Sequence, residues 1–109
     1  MAEQQAIHLH YSEAGYGMPI LLVHGFPFDN RIWAAQLGEL GATYRVIAPD
    51  LRGFGQSAAP DNGYSMDDFA ADLVMLLDRL GIERAVWVGH SMGGYITLAA
   101  LRRWPERIP

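Results

Sequence analysis

Two hydrophobic rhythms alternate along the chain. From Ala6 to Tyr11, apolar Ile7, Leu9 and Tyr11 alternate with His8 and His10, the period-two pattern of a strand with one face in water. Gly15-Tyr16-Gly17 marks a turn, and Pro19-Ile20-Leu21-Leu22-Val23 follows as an unbroken apolar run, the pattern of a strand covered on both faces. Ala85–Val88 repeats it, and Tyr44–Ala48 does so apart from Arg45. Strands are therefore expected near 6–12, 19–24, 44–49 and 85–89.

The intervening segments follow the helical period. Asp29 or Asn30 can cap a helix from Arg31 to about Leu40, with Ile32, Trp33, Leu37 and Leu40 on one side and Gly41 as the stop. Ser65-x-x-Asp68 imitates a capping box ahead of the clearest amphipathic segment, near 65–80. There Met66, Phe69, Ala70, Leu73, Val74, Leu77 and Leu80 form a stripe, and Asp67, Asp68, Asp72 and Asp78 are expected outside it on a solvated face. A third helix is expected near 92–104, stopped by Pro105. The order strand-strand-helix-strand-helix-strand-helix implies an α/β protein. Its single domain should hold a mainly parallel sheet of about four strands with helices on both faces.

Composition narrows the function classes. Twelve acidic against eight basic residues give a net charge of −4, with no basic patch for nucleic acid. The absence of cysteine excludes disulfides and thiolate metal sites, and no His/Asp/Glu cluster has metal-ligand spacing, so no metal or cofactor is expected. Met1–Gln5 is polar without a basic-then-apolar leader pattern, and no apolar run approaches the ~20 residues of a membrane span. A soluble, cytoplasmic protein is the expectation.

The chemistry concentrates where strands end. Gly89-His90-Ser91-Met92-Gly93-Gly94 links the last strand pattern to the last helix pattern, the setting of a strained turn that exposes a serine Oγ above a sheet. Ser91 at its apex is expected at positive φ, with Gly89 and Gly93 clearing the turn and Gly94 extending that clearance for close helix packing. His24-Gly25-Phe26-Pro27 follows the second strand pattern, and Asp50-Leu51-Arg52-Gly53-Phe54-Gly55-Gln56-Ser57 the third. Gly53-x-Gly55-x-x-Ala58 formally fits a dinucleotide fingerprint, but Pro60-Asp61-Asn62-Gly63 follows where that motif needs a helix, so a shaped loop is the better reading. Asp50 and Arg52 are expected to pair with each other or to hold loop backbone.

These three motifs, in this order and spacing, resemble the α/β-hydrolase family, specifically its serine-nucleophile members of the esterase, perhydrolase and C–C-bond-hydrolase kind. The resemblance runs over essentially the whole chain but only the leading part of a family member. It implies Ser91 as nucleophile, with the backbone N–H groups of Phe26 and Met92 as oxyanion donors. His24, beside Gly25, would order the oxyanion loop, and His90 would pack beside the turn with its ring away from Oγ. The substrate class implied is a small ester-like molecule (ester, thioester, lactone or C–C). A serine at the apex argues against the dehalogenase and epoxide-hydrolase branches, which would need an aspartate there. The family's catalytic histidine and acid come after the residues present, leaving the triad incomplete within this chain. The competing expectations are therefore a hydrolase lineage, a folded scaffold without efficient chemistry, or half of a split enzyme. The 85–89 strand would become an unprotected apolar edge. Self-association, or docking of a complementary C-terminal fragment, is expected there.

Overall fold

The computed structural model describes residues 6–109; the Met1–Gln5 start, read above as lacking a leader pattern, lies outside the described residues. Four strands, β1 (Tyr11–Ala14), β2 (Pro19–Val23), β3 (Arg45–Pro49) and β4 (Val86–Gly89), form one sheet in the order β1-β3-β2-β4. Strand β1 runs antiparallel to β3, whereas β2 runs parallel to both β3 and β4. Three helices complete the fold: α1 (Ala34–Leu40), entered through a 3-10 turn at Asn30–Trp33, α2 (Met66–Arg79) and α3 (Met92–Arg103). Among the described residues, no helix is long and apolar enough to cross a membrane.

Alternate side chains of a strand point to opposite faces, and this divides the apolar runs between two cores. Leu21, Val23, Ile47 and Trp87 pack with α2 and α3 on one face. Ile20, Leu22, Val46 and Ala48 pack with Trp33 and the α1 residues Leu37 and Leu40 on the other. Strand β2 lies between β3 and β4, with Leu21 opposite both Ile47 and Trp87 and with Val23 opposite Gly89. That register sets the heights at which the His24-Gly25 and Ser91 turns emerge.

Three local expectations need correction. The strand expected over 6–12 starts only at Tyr11. The residues before it are held by individual bonds instead of a ladder: Ile7 N donates to Asp72 Oδ1 (2.8 Å), His10 N to Ser57 Oγ (2.9 Å), and His10 O accepts from Asp50 N (2.8 Å). Strand β4 is not buried on both faces, since Val86 and Val88 are each 38% exposed while Trp87 is buried. Asp72 does not lie on a solvated face of α2. It is fully buried and grips Arg52 through Nε (2.6 Å) and Nη2 (2.7 Å). The buried arc of α2 takes in Phe69, Ala70, Leu73, Val74 and Leu77 of the predicted stripe, with Met66 and Leu80 half-buried at its ends, and it widens to include Leu76 and Asp72. The capping box at Ser65 is formed in both directions, with Asp68 N donating to Ser65 Oγ and Ser65 N to Asp68 Oδ2, each at 3.0 Å.

Candidate active site

Strand β4 ends at Gly89 and α3 begins at Met92, so the chain must reverse within two residues. Ser91 carries that reversal at φ 57°, ψ −116°, and it is the one non-glycine residue with positive φ among the described residues. A side chain in this region costs on the order of 1–3 kcal/mol and persists only where its surroundings hold it. Here His90 N donates to Val23 O (2.9 Å), Gly93 N to His90 O (2.9 Å) and Gly94 N to Ser91 O (2.8 Å). A Cβ on Gly89 would lie 2.5 Å from Gly93 O, and one on Gly93 would collide with the Val23 carbonyl. Gly94 plays no such part: nothing lies within 4 Å of a Cβ placed on it. Close approach of α3 to the sheet is thus Gly93's contribution, a correction to the reading that gave it to Gly94.

The turn after β2 faces this one. A Cβ on Gly25 would sit 2.6 Å from His90 O and 3.0 Å from Ser91 Cβ, so only glycine lets the two turns approach this closely. Phe26 follows, joined to Pro27 by a cis peptide bond, and Phe28 N donates back to Gly25 O (2.9 Å). Ser91 is exposed. Met92 opens α3, where the first N–H groups lack intrahelical acceptors and the helix dipole favours negative charge. Phe26 and Met92 therefore flank Ser91 from the two turns.

His24 is fully buried. Leu51 N must donate to its Nε2 (3.0 Å), so Nε2 accepts, and the ring proton sits on Nδ1, bonded to Gly25 O (3.0 Å). Burial dominates its titration and lowers its pKa from the ordinary 6.5 against the opposing pull of the Gly25 carbonyl and Asp50. The neutral ring ties the Gly25 turn to the loop after β3. His90 instead stacks edgewise with Phe28 and Trp33, at centroid distances of 6.1 and 6.5 Å.

The loop after β3 folds around Asp50 and not around a helix. Asp50 is 2% exposed and accepts Asn30 N through Oδ1 (2.8 Å) and Gln56 N through Oδ2 (2.9 Å). Gly55, at φ 54°, passes where a Cβ would strike that carboxylate. Arg52 does not pair with Asp50; besides Asp72 it donates through Nη1 to Gly63 O (2.7 Å), and its hydrogen bonds to the Asp72 carboxylate hold its pKa above the usual arginine value. Asp29 supplies the cap that the sequence offered to Asp29 or Asn30, while Asn30 donates from Nδ2 to Ala48 O (2.8 Å); sequence reasoning missed that tie and an apolar cavity of about 430 Å³. Phe26 and Met92 both line this cavity, with Phe54, Tyr64, Met66 and Phe69 among its other walls. The pair of glycines in 53–55, which bend the loop over the Ser91 side, was the available signal.

Residues 18–109 match the family model described as the alpha/beta hydrolase fold, and the chain belongs to the α/β-hydrolase family. A putative non-heme chloroperoxidase from Synechocystis sp. is 45% identical over 104 residues, which cover 94% of this chain and 38% of that protein. Epoxide hydrolase A of Mycobacterium tuberculosis is 43% identical over 113 residues, covering 99% of this chain and 35% of the relative. Among solved structures, a malate-bound thermophilic esterase from Thermogutta terrifontis superposes with a TM-score of 0.90 at 44% identity. That match covers 92% of this chain and 37% of the esterase. The chain thus spans little more than a third of the length of these relatives.

Proposed function

We propose that these residues form the nucleophile half of a serine hydrolase that transfers acyl groups through an ester on Ser91. The observation that carries the reading is the strained backbone of Ser91, held against the glycine turn that leads into Phe26. In this mechanism Ser91 Oγ attacks the substrate carbonyl carbon and its proton passes to a base. The carbonyl electron pair moves onto oxygen, which the N–H groups of Phe26 and Met92 hold. Each such donor contributes roughly 3 kcal/mol of transition-state stabilisation. Collapse expels the alcohol, reprotonated by the same base, and water then releases the acid from Ser91.

His24 is not that base: its Nε2 lone pair already accepts Leu51 N–H, and burial disfavours its protonation. His90 packs among aromatic rings, so we assign the base and its orienting acid to a part of the enzyme outside these 109 residues. The serine also favours esters over the epoxides acted on by some relatives. Attack of an alkoxide on an epoxide yields an ether, which water cannot cleave to return the enzyme. Attack on an ester yields another ester, which it can. A second reading, favoured by exposed Val86 and Val88 at the sheet edge, is that the chain works only with a complementary segment or a second copy paired along β4.

The test is covalent labelling by a fluorophosphonate, located by peptide mass spectrometry, beside p-nitrophenyl ester cleavage, for the chain and for Ser91→Ala, each with an added C-terminal portion of a related hydrolase to supply the base. Labelling at Ser91 and loss of turnover in the alanine variant are expected. Labelling elsewhere, or turnover indifferent to the substitution, would sink the assignment. Ser91-dependent activity of the chain without that portion, rising with protein concentration as a second copy pairs along β4, would select the second reading.

A further inference from the structure

The cavity beside Ser91 carries a statement about substrate. We infer that it receives the acyl side of the substrate, and that the group it takes is uncharged and phenyl-bearing, of arylacetyl size. The inference rests on the serine-hydrolase reading for its orientation. Phe26 and Met92 both line this cavity, so a carbonyl oxygen held by their N–H groups sets a substituent on the carbonyl carbon beside it, within reach of its walls. The pocket holds about 430 Å³. A cavity of ~150 Å³ suffices for benzene, which leaves room for a phenyl ring with its linking carbons.

The walls choose the chemistry. Among the described residues, none that lines the cavity carries a charge. Its one hydroxyl, on Tyr64, already donates to Pro60 O and has no proton left for a ligand. Aromatic edges and faces alternate around it: Phe26 meets Phe54 edge-on at 5.8 Å and 86°, and Tyr64 tilts against Phe69 at 6.0 Å. Another ring fits such a set in offset or edge contact, worth more than its area alone. A carboxylate there would lose its water with nothing to replace it. The wall is also fixed in place. Gly53, at φ 84°, lets the Tyr64 ring approach to where a Cβ would lie 2.8 Å away, and Arg52 fastens the neighbouring Gly63 carbonyl to buried Asp72.

The experiment uses the ¹⁵N-labelled 109-residue chain, titrated with phenylacetamide, which is neutral and resists hydrolysis, and separately with succinamate, which carries a carboxylate. Phenylacetamide should shift the amides of Phe26, Phe54, Tyr64 and Met92, and succinamate should do so only at far higher concentration. Ala59, an exposed wall residue, supplies the charge test: Ala59→Lys should tighten succinamate by about fivefold, the scale of one exposed ion pair. Shifts confined to the β4 edge, no shifts in a well-dispersed spectrum, or equal response to both amides would overturn the proposal. The Ser91→Ala chain should bind phenylacetamide as the parent does. Binding kept while fluorophosphonate labelling of Ser91 fails even with the added C-terminal portion would overturn the nucleophile assignment and leave the pocket standing.

Discussion

Replacing Asp72 by asparagine tests how much of this fold rests on one ion pair beneath the loop after β3. The side-chain exposures are 4% for Arg52 and 0% for Asp72, and the carboxylate accepts two guanidinium N–H groups and the Ile7 amide. Asparagine keeps the shape but removes the charge and turns an NH2 toward a donor. Breaking one partner of a buried pair costs about 3–5 kcal/mol, because the remaining charge stays desolvated. Domains of this size have about 5–15 kcal/mol of stability in total. With a urea m-value of about 2 kcal/mol/M, the midpoint should fall by about 2 M. The exposed pair of Arg102 with Asp67, at 70% and 33% side-chain exposure, is the control: Asp67→Asn should cost no more than ~1 kcal/mol. The double variant Arg52→Met/Asp72→Leu should be more stable than Asp72→Asn, recovering only in part because the Ile7 amide and Gly63 carbonyl lose partners. A loss under ~1 kcal/mol for Asp72→Asn, or a double variant as unstable as the two single changes combined, would refute this account.

Other predictions concern the turns. Gly93→Ala should cost roughly 1–3 kcal/mol or more by driving a methyl into the Val23 carbonyl, whereas Gly94→Ala, with open space around it, should gain about 0.5–1 kcal/mol; denaturation midpoints of opposite sign check both. Ser91→Gly should relieve the strain at φ 57° and raise the melting temperature by a few degrees, about 1 kcal/mol, while abolishing labelling at that position. His24, with its folded-state pKa below the ordinary 6.5, binds fewer protons folded than unfolded. Its contribution is therefore complete above pH 6.5 and is lost as pH falls toward the folded-state value. Stability measured across that window should fall on acidification, and more shallowly in His24→Gln; an unchanged slope would refute the role.

Much of the sheet was legible because apolar runs have few alternatives, and the Ser91 turn was legible because its glycines are demanded by backbone contacts. The start of β1 was not, since side chains of Asp72 and Ser57 hold residues 7 and 10 where the alternation suggested a ladder. Asp72 was misread for a related reason: periodicity reports which residues are apolar, not how far the buried arc of α2 extends beyond them. A buried carboxylate announces itself only through its partner, and Arg52 lies in another motif. The apolar cavity was equally invisible, because Phe54 and Tyr64 become neighbours of Phe26 only through the loop bends at Gly53 and Gly63.

The pairing of Val23 with Gly89 has a kinetic meaning. Strands β1, β2 and β3 can associate with the first half of the chain alone, and they bring the Gly25 turn and the Asp50 loop with them. The serine turn joins only when β4, distant in sequence, closes on β2. Such non-local pairings are slow to form because chain entropy is lost before contact is gained. Intermediates lacking β4 would have the Gly25 turn but no serine opposite it. Recovery of the Ser91 amide resonance at its native position during refolding should then lag behind recovery of helical signal, making the serine turn a reporter of the last strand to dock.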